Sequence, residues 1–196
     1  LVQNRSLSIS DRLGLLLLFA VRLQKLLDEK AYGRLDALCA RFLDDTSYRR
    51  ALSHARRLRA KPASFFPCWM ILNNMEHLTA EFPRLLDGCA MQSCAHALDK
   101  VCASQLENLT VYFLWRYFLK ASADGRVLSQ TEGCVFHVLC IAALFANAKE
   151  QDDTPLRAIT SLYSKEVEHS EENLRLLLRV FDRKTVSWRS LLAMLG

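Results

Sequence analysis

Apolar residues recur at steps of three and four along almost the whole of this chain, and helix-breaking residues are nearly absent from it. Six glycines and four prolines in 196 residues are too few for a turn-rich β-sandwich or barrel and leave little material for flexible linkers. The fold class that follows is all-α. Ser10 stands where it can cap a helix from Asp11 to about Lys30, in which Leu16, Phe19, Ala20, Leu23, Leu26 and Leu27 share a face. The first half of that helix, "LGLLLLFAV" between Arg12 and Arg22, is apolar on all sides. It is too short to cross a bilayer, which needs about 20 residues, and no small-residue cleavage pattern follows it. A helix with neighbours on several sides accounts for it.

The same rhythm continues from Tyr32 to Leu43, with Thr46 or Ser47 opening a third helix that ends before Pro62. Ser64 opens "SFFPCWMILNNMEHL", where Pro67 suits a first turn, and "CAMQSCAHALDKVCA" forms a further helix. Ser104 and Glu107 have the spacing of a capping box ahead of "LTVYFLWRYFLKA", which runs to Asp124-Gly125; Ser129 and Glu132 repeat it ahead of "VFHVLCIAALFANA". Leu109, Tyr112, Phe113, Trp115, Phe118 and Leu119 are large side chains for a core. Thr154, Ser170 and Thr185 or Ser187 start the last three helices. About ten helices joined by short connections fit stacked antiparallel pairs, a short HEAT-like α-solenoid, better than a regular bundle, although no repeated signature occurs. Residues 1–196 read as one domain, and Leu1 and the apolar helical end read as cuts from a larger protein.

Seven cysteines, an odd number, fall mostly on apolar helical positions, as reduced thiols do when they act as small hydrophobes. The compartment expected is reducing and intracellular, nucleus or cytoplasm. Cys134, His137 and Cys140 lie at steps of three, which leaves the two thiols about 120° apart around a helix and builds no chelate. Tight Cys-x2-Cys knuckles of structural zinc are missing. "SADGRVLSQTE" resembles half a calcium loop, but with Gly125 as its sixth position Thr131, not Glu132, is the twelfth. No nucleophile has a local partner among the five histidines, and no glycine loop for phosphate occurs. The expectations are no enzyme, no metal and no cofactor.

The most unusual stretch is "YRRALSHARRLRAK", Tyr48 to Lys61, with six positive charges and no carboxylate. The net charge is +5, so every other residue together sums to −1. On a helix Arg49, Arg50, His54, Arg56, Arg57 and Lys61 fall within an arc of about 160°, opposite Tyr48, Leu52, Ala55 and Leu58, with Arg59 beside Leu52. Ordinary solvated faces mix signs, because like charges one turn apart destabilise a helix. Five of the six are arginine, whose planar fork suits carboxylates and phosphates. The face is expected to meet an acidic or apolar segment of a protein partner, and no membrane. Groove aromatics for that partner are Phe65, Phe66, Trp69, Tyr163 and Trp188, at segment starts or on short helices. "KEQDDT" and "SKEVEHSEENLR" hold seven carboxylates from Glu150 to Glu172; helix starts favour such charges, and the alternative is a dock for a basic segment. The function that follows is a non-catalytic helical interaction module. The alternative is a nucleic-acid-binding subunit of a nuclear genome-maintenance or RNA-processing complex, using the arginine face.

Overall fold

A computed structural model describes residues 1–59, 63–151 and 155–196, and all their side chains except those of 149–151. Its centre is a single long helix. α9 (Val127–Gln151) is apolar on every side from Cys134 to Ala148, and Val135 to Leu144 are essentially without solvent contact. A helix of that kind must be enclosed. By length and hydropathy its Val127–Ala148 stretch is long enough to cross a membrane, yet 83% of the most apolar window is buried inside the fold. The small residues Ala142, Ala143, Ala146 and Ala148 let neighbouring helices approach closely.

Around α9 pack α1 (Ile9–Asp28), α5 (Glu81–Leu86), α6 (Cys94–Asp99), α7 (Ala103–Tyr117), α10 (Leu156–Tyr163), α11 (Glu171–Asp182) and α12 (Trp188–Met194). α2 (Leu35–Leu43) and α3 (Asp45–Leu58) lie on the far side of α1, α4 (Phe66–Asn73) leans on α5, and α8 (Ala121–Asp124) is a single turn. The all-α class and the number of helices are as expected. The order of packing is not a linear stack of pairs. In a stack each helix touches its sequence neighbours, whereas α9 gathers helices from both ends of the chain. Most of the buried side chains accordingly form one contiguous cluster.

Helix starts show where local patterns mislead. Ser8, not Ser10, caps α1, accepting from the Asp11 amide at 3.1 Å, and Asp44 caps α3 through the Ser47 amide at 2.8 Å. Neither expected capping box forms. α7 begins at Ala103 and α9 at Val127, so Glu107 and Glu132 lie more than a turn inside, beyond the free amides a box would satisfy. Glu107 instead accepts from Arg12 at 2.7 Å and from Arg5 at 2.9 Å. Ser129 donates to Asp182 at 3.0 Å. Ser170 and Ser187 do cap α11 and α12. Gly125 ends the run after α7 with φ +68°, the left-handed cap that glycine adopts at least cost.

All seven cysteines are free thiols, five of them buried. Cys134 donates to the Phe113 carbonyl at 3.2 Å, and burial pushes its thiol up to about 12. Among the described residues no three metal-ligating side chains come together.

A candidate peptide groove beside the central helix

α10 docks on α9 through Ile159 and Tyr163, both buried. Immediately after Tyr163 the helix widens into a π turn, Ser164–Glu168. Such widened turns are frequent at functional sites. Three consecutive residues of the turn, Glu166, Val167 and Glu168, are buried, two of them carboxylates. Each carboxylate then finds partners. Glu166 accepts from the Leu78 amide at 2.7 Å and from the Thr79 hydroxyl at 2.5 Å. Glu168 accepts from the Tyr117 hydroxyl at 2.9 Å and the Tyr112 hydroxyl at 3.2 Å, with Arg116 Nε 2.9 Å from the same oxygen.

Between this turn and the outer face of α7 runs an open groove of about 810 Å³. One wall is a stripe of α7 at helical spacing, Gln105, Asn108, Leu109 and Tyr112; the other carries Leu156, Thr160, Ser161 and Ser164. Glu168 lies at its floor, and Arg157, Lys165 and His169 stand along it. Tyr112 is half exposed. Burial and the Glu168 charge both push its hydroxyl up, so it is a neutral donor at neutral pH. Behind the floor the imidazole of His137 stacks on Phe113 at 4.6 Å and on Tyr117 at 5.2 Å, and its Nδ1 is 2.7 Å from the Tyr163 hydroxyl. Burial, with the positive charge of Arg116, lowers His137 to about 3. The wall is therefore backed by neutral, interlocked rings rather than by a mobile side chain.

Of the residues expected to meet a partner, Arg49, Arg50, His54 and Arg57 are exposed on one side of α3, while Ala51, Leu52 and Ala55 are buried on the other. Arg56 is exposed too, but its guanidinium is committed to buried Asp11, at 2.6 Å. Lys61 lies outside the described residues, as do Asp152 and Asp153 and the side chain of Glu150. Arg59, beside Leu52, is buried against Asp11. The five groove aromatics do not gather. Phe65 and Tyr163 are fully buried core. Phe66 is exposed and stacks on half-buried Trp69, whose indole donates to Leu86. Trp188 is partly buried beneath Arg189. Conversely Tyr112, Trp115 and Leu119, read as core, are exposed, because α7 has one side on α9 and the other open.

The groove escaped the sequence reading because its two walls are some fifty residues apart and nothing local announces the π turn. The only trace is the polar Gln105 and Asn108 on a helix otherwise rich in large apolar residues.

The model of the FliB lysine N-methylase C-terminal domain matches residues 1–195. The chain belongs to this FliB C-terminal domain family. No curated protein and no solved structure matches it. Membership of the FliB family overturns three expectations. A non-catalytic scaffold is not what the family match supports, since the family is defined as a domain of a lysine N-methylase; the expectation of no enzyme fails with it. A nuclear genome-maintenance or RNA-processing subunit has no support from a FliB domain. The intracellular setting stands, in keeping with free thiols throughout. Local motifs failed here for a plain reason: no stretch of the chain carries a catalytic signature of its own, and the family relation lies in the pattern of the whole domain.

Proposed function

We propose that this chain is the C-terminal helical domain of a cytoplasmic lysine N-methylase, and that the groove between α7 and α10 holds the polypeptide segment around the lysine to be methylated. The observation that carries this reading is the family match over residues 1–195. Methylation forms a bond between the lysine Nζ and the methyl carbon, breaks the bond from that carbon to its donor, and releases the proton of the ammonium. An enzyme acting on so flexible a side chain needs its surrounding backbone held still. The groove offers the means. Gln105 and Asn108 on one wall and Ser161 and Ser164 on the other present donors and acceptors to main-chain amides. Leu109, Leu156 and the ring of Tyr112 supply apolar contact between them. Arg157 and Lys165 favour a segment with carboxylates near the lysine. The exposed arginines of α3 provide a second surface for acidic parts of the same protein partner.

The test uses the full-length enzyme and mass-spectrometric counting of methyl-lysine in cell protein. Tyr112→Ala combined with Asn108→Ala is expected to raise KM about tenfold with a smaller change in kcat, as loss of uniform substrate binding does. A KM unchanged in that variant, with the fold intact, would reject the groove. Failure of the wild-type enzyme to form methyl-lysine would reject the activity itself.

A further inference from the structure

A second concavity lies where α1 and α2 meet. A common cleft of about 200 Å³ is lined by Arg22 and Lys25 of α1, Glu29 just past its end, Arg34 in the 3-10 turn that leads into α2, and Arg41 of α2. Arg22, Lys25 and Glu29 stand three and four residues apart, which puts them on one side of α1 and its end. Leu26 and Leu38, both buried, form the apolar floor. Four cations thus converge on one cleft with one carboxylate, Glu29, which sits 3.7 Å from Lys25.

What sets the cleft apart is that three arginines and a lysine line one small space; the lack of a carboxylate partner among the described residues its arginines share with other exposed arginines, Arg49, Arg50 and Arg57 of α3 among them. Arg5, Arg12, Arg56, Arg59, Arg116, Arg126 and Arg175 each have a carboxylate within 4.0 Å. Arg22, Arg34 and Arg41 have none among the described residues. Arg22 is instead seated over the ring of Phe42, with its guanidinium carbon 5.3 Å from the ring centre, which fixes the plane of the fork without using its donors. Unpaired like charges facing one another cost stability, and an oxoanion between them removes that cost. The space is below the range of sites for larger organic ligands, roughly 300–1,000 Å³, and suits a compact group. A phosphate carries close to two negative charges at neutral pH and accepts from several forks at once.

We infer that the cleft between α1 and α2 binds a phosphate group, free or as the end of a small phosphomonoester. The site is independent of the groove beside α7 and of any reading of the methylase reaction. The deciding experiment is calorimetric titration of the full-length protein at constant ionic strength with inorganic phosphate, and in a second arm with a nucleoside monophosphate. Saturable binding in the millimolar range or tighter is expected in at least one arm; tighter binding of the monoester would assign the natural ligand to that source, and equal binding to the anion alone. Arg34→Ala and Arg41→Ala should each weaken binding about tenfold, as loss of a charge-assisted contact does. Glu29→Gln should tighten it. Arg50→Ala with Arg57→Ala, on the exposed face of α3, should leave it unchanged, with thermal unfolding confirming that every variant folds. Absence of saturable binding in both arms, an Arg34/Arg41 double variant that binds like the wild type, or equal weakening by the α3 variant would overturn the site.

Discussion

Replacing Asp11 by alanine should cost this domain a large part of its stability. The Asp11 carboxylate is almost fully buried and holds two arginines: Arg56 through two bonds, at 3.1 and 2.6 Å, and Arg59 through Nη2. The two arginines are not equivalent. The Arg56 side chain is 57% exposed and can return to water, whereas that of Arg59 is 6% exposed. Arg59 Nε and Nη1 are already buried without a partner, so Asp11→Ala leaves its whole guanidinium unpaired in the interior. Removing one member of a buried ion pair costs about 3–5 kcal/mol, against a total of about 5–15 kcal/mol for a typical domain. With a urea slope of about 2 kcal/mol/M, the unfolding midpoint should fall by about 1.5–2.5 M. Arg56→Ala should cost no more than about 1 kcal/mol, as exposed pairs do. Adding Arg59→Leu to Asp11→Ala should restore part of the loss, because the stranded charge is gone. Burial pushes the Asp11 carboxyl up, but bonds and charges from Arg56 and Arg59 outweigh it and hold the group below its ordinary value. A lowered carboxyl contributes stability above its unfolded value of about 4 and loses it as pH falls through the folded value. The gap between wild type and Asp11→Ala should therefore narrow below about pH 4. A loss under about 1 kcal/mol at pH 7, or a double variant less stable than Asp11→Ala, would refute the reasoning.

Glu132 has the opposite sign: burial raises its carboxyl to about 7, against weaker lowering by the Trp188 amide and the charge of Lys184. Its contribution is present below about pH 4 and is lost as pH rises through about 7, so wild-type stability should fall by about 3 kcal/mol over that range in urea titrations, and Glu132→Gln should flatten the fall. His137, lowered by burial to about 3, should show no imidazole titration by NMR from about pH 4 to pH 8. Reversal of Arg50 and Arg57 to glutamate should change stability by no more than about 0.5 kcal/mol each; a larger loss in denaturant titration would mean that the α3 face is packed. Gly125→Ala, at φ +68°, should lower stability by about 1 kcal/mol, visible as a lower midpoint.

Patterns that depend on near neighbours in sequence were readable. The apolar rhythm located most of the helices, the one-sided face of α3 is real, and even the odd placement of Arg59 beside Leu52 foreshadowed its burial. Patterns that depend on partners far away were not. Ser104 with Glu107 has the look of a cap, but Arg12, 95 residues distant, competes for that carboxylate and wins. Arg56 belongs by angle to the exposed face and by contact to Asp11, 45 residues away. Tyr112 and Tyr163 are similar in sequence setting, yet one lines the groove and the other lies beneath it. Periodicity says which side of a helix is apolar; it cannot say how many neighbours that side will have. The stacked-pair expectation failed on this point, since a helix as apolar as α9 needs enclosure rather than a place in a row.

The position of α9 along the chain bears on how the domain is made. α1 to α7 are synthesised before Val127 is added, so the surfaces that α1, α5, α6 and α7 will bury against α9 have no partner there until the later part of this domain is made. Helices can form locally in that interval, but the core cannot close until the late segment arrives. This domain should therefore mature as a unit after α9 emerges, and its nascent form, with leucine-rich α1 uncovered, is the stage at which a cell's chaperones have most to protect.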